Sequence, residues 1–207
     1  MMLRVVAAAV LLASVAAGSA FAQAPRFVPP IATHKDAQIA QELREKKAGA
    51  VAFDVVPRVG RNCTRVETNV SRQVSGGPAQ LFTILNSTAI SLFVALPTSQ
   101  GGVAALPPGD YLIASVLCQS DRHRITLAGP YAAFQVRPGE VVNLGVLRLE
   151  VATGGPFGQA GKLTKSVAGM TQDGRAKMTD EFPQTFPLAV ERRMTLIGPA
   201  EVDVKRR

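Results

Sequence analysis

The chain has 207 residues, a net charge of +8, two cysteines, two histidines and no tryptophan. That length supports one core of ordinary size. The positive charges are scattered along the chain, with short clusters (Arg44-Glu45-Lys46-Lys47, Arg122-His123-Arg124, Lys205-Arg206-Arg207) and no long basic run, which fits solubilising charge.

Residues 1–22 read as a signal peptide. Arg4 gives a positive start, Val5 to Ala17 form the apolar stretch, and Ala20-Phe21-Ala22 is a small-x-small cleavage site. The apolar stretch is too short to span a bilayer, so cleavage after Ala22 and a periplasmic or secreted product with no remaining transmembrane segment are expected. Losing Arg4 leaves a charge of +7. A basic protein outside the cytoplasm meets anionic lipid head groups, lipopolysaccharide and acidic glycans. An envelope protein or an anionic envelope component is therefore the expected partner, and nucleic acid is not.

Residues 23–49 form a proline-rich segment and a short helix. Ile39, Ala40 and Leu43 recur at helical spacing between Asp36 and Lys47, with Gly49 as the stop. The stripe is narrow, which suits a helix lying against a sheet edge.

Residues 50–151 carry the strand pattern. "AVAFDVVPRV" (50–59) and "CTRVETNV" (63–70) alternate roughly and are rich in β-branched residues. "LFTILNSTAISLFVALP" (81–97) reads as two strands around a turn at Asn86-Ser87-Thr88, with a helix as the alternative. Further strands are expected at 103–106, 111–118, 125–127, 131–136 and 141–151. Turn signals about every ten residues point to a mainly β, antiparallel sandwich. Cys63 and Cys118 fall in strand-like contexts without a CxxC or a nearby histidine, so in an oxidising compartment they are expected to pair.

After Val151 the composition changes. "ATGGPFGQAG" (152–161) is a Gly-rich linker, and 162–180 lacks clear periodicity. Leu188, Glu191 and Met194, spaced by three after Pro187, predict a short helix that Gly198 ends. Residues 152–207 are thus expected to be a linker and a partly helical tail packed on the sandwich.

Two stretches echo each other: "GGVAALPPGDYLIASV" from Gly101 and "FQVRPGEVVNLGVLRL" from Phe134. Each has a Pro-Gly pair, an acidic residue and an apolar run. Proline presets the first φ of such a turn and glycine takes the positive φ after it. The first stretch resembles carboxypeptidase regulatory-like and transthyretin-like β-sandwich domains of bacterial envelope proteins, with Val103 where those more often carry an aromatic. The second is similar to their closing hairpin. The resemblance implies a prealbumin- or immunoglobulin-like sandwich, a scaffold used for spacers, adaptors and binding modules alike.

Chemistry is sparse. His34 falls at the helix start, and His123 stands between two arginines that disfavour its protonated form. No GxSxG, HExxH, Walker or EF-hand pattern occurs, and no metal or cofactor is expected. Tyr111 and Tyr131 sit in strands, where core packing competes with any sugar-stacking role. The triplets beginning at Asn62, Asn69 and Asn86 match the N-glycosylation pattern, which chance also produces. The connection Arg122-His123-Arg124 is the candidate binding loop, because two guanidiniums suit a carboxylate or phosphate; an exposed hairpin loop kept soluble by charge is the competing reading. The sequence favours a non-catalytic envelope interaction or accessory module. A secreted hydrolase with a scattered active site and a small apolar-ligand carrier are the alternatives.

Overall fold

The computed structural model describes residues 35–59, 63–74, 76–86, 100–119, 124–152 and 161–204. The expected signal peptide, most of the proline-rich segment, residues 87–97 of the longest apolar run and most of the Gly-rich linker lie outside these. The described chain forms a mainly β, two-sheet sandwich with one face covered by short helices.

Helix α1 is Asp36–Arg44, with Ile39, Ala40 and Leu43 buried. It stops before the glycine expected to end it: Lys46 takes the left-handed conformation (φ 52°), and Gly49 instead opens strand β1, Gly49–Arg58. Strands β2 (Arg65–Arg72), β3 (Gln80–Asn86), β4 (Gln100–Leu106), β5 (Gly109–Gln119), β6 (Arg124–Ala128), β7 (Ala132–Val136) and β8 (Val141–Ala152) follow. The tail contains β9 (Gly161–Ala168), helix α2 (Gln172–Glu181), one 3-10 turn (Phe186–Leu188), and the short strands β10 (Val190–Glu191), β11 (Thr195–Leu196) and β12 (Glu201–Val204).

One sheet runs β12-β9-β8-β1-β4, with β10 also on β8; the other runs β11-β7-β5-β2-β3, with β6 also on β5. Most pairs are antiparallel, but β1 and β8 are parallel, as are β10 and β8. Parallel neighbours need a long connection, so everything between β1 and β8 forms one excursion through the second sheet and back.

Side-chain size sorts the two faces of β1. Val51, Phe53 and Val55 point between the sheets, where they meet Tyr111, Ile113, Leu147 and Leu149. On the other face Ala48, Ala50 and Ala52, with Val103 and Ala105 of β4, leave room for Ile39 and Leu43 of α1 and for Met178 of α2. Burial on both faces explains the unbroken apolar run of β1. The helix therefore covers the sheet face, where an edge position was expected.

The two longest strands, β8 and β5, each change phase once. In β8, Val142 and Leu144 face the inter-sheet core and so do Leu147 and Leu149, because a bulge opposite Ala52/Phe53 adds a residue. Gly145 takes φ 83° there, and its N–H donates to the Asn143 side chain at 3.0 Å. In β5 the register shifts opposite Asn69/Val70, and Ala114 accepts from the N–H of Gly129 at 2.7 Å. The inserted residue bends the strand, which lets β6 and β7 share one edge of β5 in succession.

The two Pro-Gly stretches are not hairpins. The first leads from β4 in one sheet to β5 in the other, and the second leads from β7 back to β8. The expected closing hairpin is thus a crossing between sheets. Both crossings lie at one end of the sandwich, since Gly109 pairs with Val136 and Asp110 with Gln135. Asp110 accepts from Gln135, whose side-chain carbonyl accepts from Arg137, linking the two turns. Tyr111 stacks on Phe134 (centroids 5.4 Å apart) and donates its hydroxyl to the Pro107 carbonyl at 2.6 Å. Burial pushes its pKa up to about 12, so it remains a neutral donor.

The tail departs most from expectation. Instead of a helix after Pro187 there is one 3-10 turn, and then the chain adds a strand to each sheet in turn: β10 on β8, β11 on β7, β12 on β9. Met194, on the crossing from β10 to β11, is buried in the inter-sheet core. Lys165 of β9 is also buried, its ammonium donating to the Ile197 carbonyl.

At the far end, Cys63 and Cys118 are joined by a disulfide, with Cα atoms 5.3 Å apart. Replacing both by serine opens a loop of 55 residues. By chain entropy this should lower unfolding free energy by about 4 kcal/mol, measured by urea titration of oxidised wild type against the variant. Gly49→Ala should cost at least about 3 kcal/mol, because the new Cβ would sit 2.2 Å from the Arg137 carbonyl oxygen. Gly76→Ala, at positive φ in open space, is the milder control and should cost about 1 kcal/mol.

Candidate functional site

The parallel pairing of β1 with β8 places the entry to β1 beside the turn that enters β8. Gly139 donates to the Ala48 carbonyl and Ala50 to the Glu140 carbonyl, both at 2.8 Å. Because α1 immediately precedes β1, its C-terminal half lies across this turn, and a groove of about 710 Å3 opens between them. Ala40, Leu43 and Arg44 of α1 form one side, and Pro138 to Val141 form the base. Gln184, Leu188 and Val190 form the opposite wall.

That wall is held by a single carboxylate. Asp36, in the first turn of α1, accepts from the N–H of Gln184 (2.9 Å) and from the hydroxyl of Thr185 (2.5 Å). Phe186 is buried against the helix-side core, which anchors the 3-10 turn and leaves Leu188 on its outer side. Leu188 is 65% exposed and Val190 57%, while Leu43 and Val141 beneath them are buried. Two large apolar side chains therefore stand in water at the rim of an apolar groove.

The charges around it are uneven. Glu140 is paired with Arg192 at 2.5 Å, which also ties the turn to the residue after β10. Lys47 pairs with Glu45 at 2.6 Å and holds that carboxyl below its usual range. Arg44 forms no salt bridge among the described residues, and it lines the groove. The free charge of the site is positive.

The sequence singled out the opposite end of the molecule. Arg122 and His123 lie outside the described residues, as does His34. Arg124 is exposed at the start of β6, paired in register with Gln119 at the far end of β5. No part of the groove was foreseen as a site, because its walls come from three segments well separated in the chain, around residues 40–44, 138–141 and 184–190. Leu188 and Val190, apolar residues shortly after Pro187, were the hint the sequence held.

One buried carboxyl lies away from the groove. Asp54, on the helix side of β1, is 4% exposed beneath α2. Desolvation raises its pKa to about 6, with Lys177 opposing and Glu181 reinforcing the rise. Its strand neighbours, Gly101 and Val146, bring no charge. Gly174 of α2 leaves it room: a Cβ there would stand 3.8 Å from Asp54 Oδ2. Among the described residues no group of three or more His, Cys, Asp or Glu could hold a metal, and no helix is long and apolar enough to cross a membrane.

No known family model matches the chain, and no curated protein matches it. A solved structure from Bacteroides ovatus, named provisionally as a cell adhesion protein, is similar at a TM-score of 0.31 and 11% identity, over 61% of this chain and 47% of that one. This chain thus spans about half the length of that protein.

The raised pKa of Asp54 fixes a pH dependence. The folded state favours the neutral acid, so its contribution is complete below the unfolded value near 4 and is lost as pH rises through about 6. Asp54→Asn should match wild type at pH 4 and exceed it by roughly 2–3 kcal/mol at pH 7.5, a gap read from urea titrations across that range.

Proposed function

We propose that this protein is a non-catalytic interaction module of the extracytoplasmic envelope, and that the groove under α1 is its contact surface. The observation that carries the reading is the pair Leu188 and Val190, 65% and 57% exposed on the rim of an apolar groove. Exposed apolar side chains bordering a concave apolar surface mark interaction sites more often than they mark solvent-facing accidents. The extracytoplasmic setting is supported by the targeting pattern of residues 1–22 and by the Cys63–Cys118 disulfide, a bond that persists in oxidising compartments. The reading as a carrier of a small apolar ligand between the sheets is weaker, since Phe53, Tyr111, Leu147 and their neighbours fill that space.

The test is site-specific photo-crosslinking in intact cells. A benzophenone side chain at position 188 should capture a discrete protein partner, and the same group at position 124, at the far end, should not. Capture at 124 alone would return the contact surface to the charged loop. Capture at neither position would sink the reading.

A further inference from the structure

The groove has a directional chemistry, and resting on the reading above, we infer that it takes an extended apolar peptide segment bearing a carboxylate that pairs with Arg44. Three observations select this occupant.

The first is charge. Among the described residues the one carboxylate lining the groove, Glu140, is already held by Arg192, and Glu45 at the end of α1 is held by Lys47. Arg44 and Lys46 at the end of α1 form no salt bridge among the described residues. An occupant that completes this surface brings negative charge to the α1 end. A guanidinium takes a carboxylate through two parallel hydrogen bonds, which fixes orientation as well as attraction.

The second is the free strand edge. Val190, which lines the groove, belongs to β10, and β10 is paired with β8 alone among the described residues. Its other side leaves backbone groups for an added strand. Strand addition gives a peptide main-chain hydrogen bonds, while alternate side chains drop into apolar recesses.

The third is shape. The groove is an open trough, walled by α1 on one side and by the 184–190 segment on the other. An acyl chain laid there would keep one flank in water and would gain nothing from the free backbone of β10. A peptide uses both features. The chain's own residues 26–33, "RFVPPIAT", are apolar but bring Arg26 and no acid, the wrong charge for this end.

Panning a phage library of random octapeptides on the intact protein tests the inference, with selected peptides synthesised and measured by fluorescence anisotropy. The expected selection is alternating apolar residues with Asp or Glu at one fixed position. Arg44→Glu should weaken these peptides by at least about tenfold. Fresh panning on that variant should select Lys or Arg at the same position. Val190→Asp should abolish binding by both, and far-ultraviolet circular dichroism checks that each variant is folded.

No enriched peptide, or peptides indifferent to Arg44→Glu, overturns the inference. So does displacement of the selected peptide by a dansylated fatty acid, by a synthetic peptide of residues 26–33, or by dimerisation that Val190→Asp abolishes. A protein captured at position 188 in cells alongside any of these results would leave the broader reading standing with a different occupant, so the two failures remain separable.

Discussion

Among the described glycines, Gly49 leaves the least room for a side chain: an added Cβ would stand 2.2 Å from the carbonyl oxygen of Arg137. Much follows from it. It allows β1 to enter the sheet beside the turn that launches β8, so the two strands run parallel in register from Ala50 and Val141 onward. The helix before β1 is then carried over the turn before β8, and the space between helix and turn is the groove. Any side chain at position 49 would push these segments apart and disturb the groove together with the β1–β8 pairing. The groove is a by-product of a parallel pair inside an otherwise mostly antiparallel sandwich.

Charge then refines what packing creates. Asp36 fastens the 3-10 wall to α1 through two hydrogen bonds, and Arg192 binds the turn through Glu140. Both carboxylates serve the walls. Among the described residues, what remains without a salt bridge on the groove is one cation, beside two exposed apolar rim residues. An apolar trough with one free charge favours an orientation as well as a class of occupant.

Much of the sandwich was legible because its determinants are local. Ile39, Ala40 and Leu43 mark the buried stripe of α1 at helical spacing, and the strands from β1 to β8 show β-branched runs between turn residues. The tail was not legible, for identifiable reasons. In β9 the inward positions are Leu163, Lys165 and Val167, and a buried lysine satisfied by a distant carbonyl erases the apolar alternation. In α2 the one buried side chain is Met178, so there is no stripe to read. Leu188, Glu191 and Met194 are spaced by three, yet Leu188 faces water and Met194 the inter-sheet core. The Pro-Gly turns were visible, but the sheet on each side of a turn is a long-range fact, and both proved to cross between sheets. The groove was hidden for the same reason.

The zigzag of the tail sets an order of assembly. The side of β8 that faces β9 and β10, and the side of β7 that faces β11, are completed only by residues beyond 160, and Met194 reaches the inter-sheet core from the last of these segments. A chain emerging from its N-terminus therefore exposes an edge of β8 and an edge of β7 until the residues beyond 160 are available. Such edges are templates for unwanted pairing, and pairings distant in sequence form slowly. The sandwich is completed only when the β10–β12 segment joins both sheets in one pass.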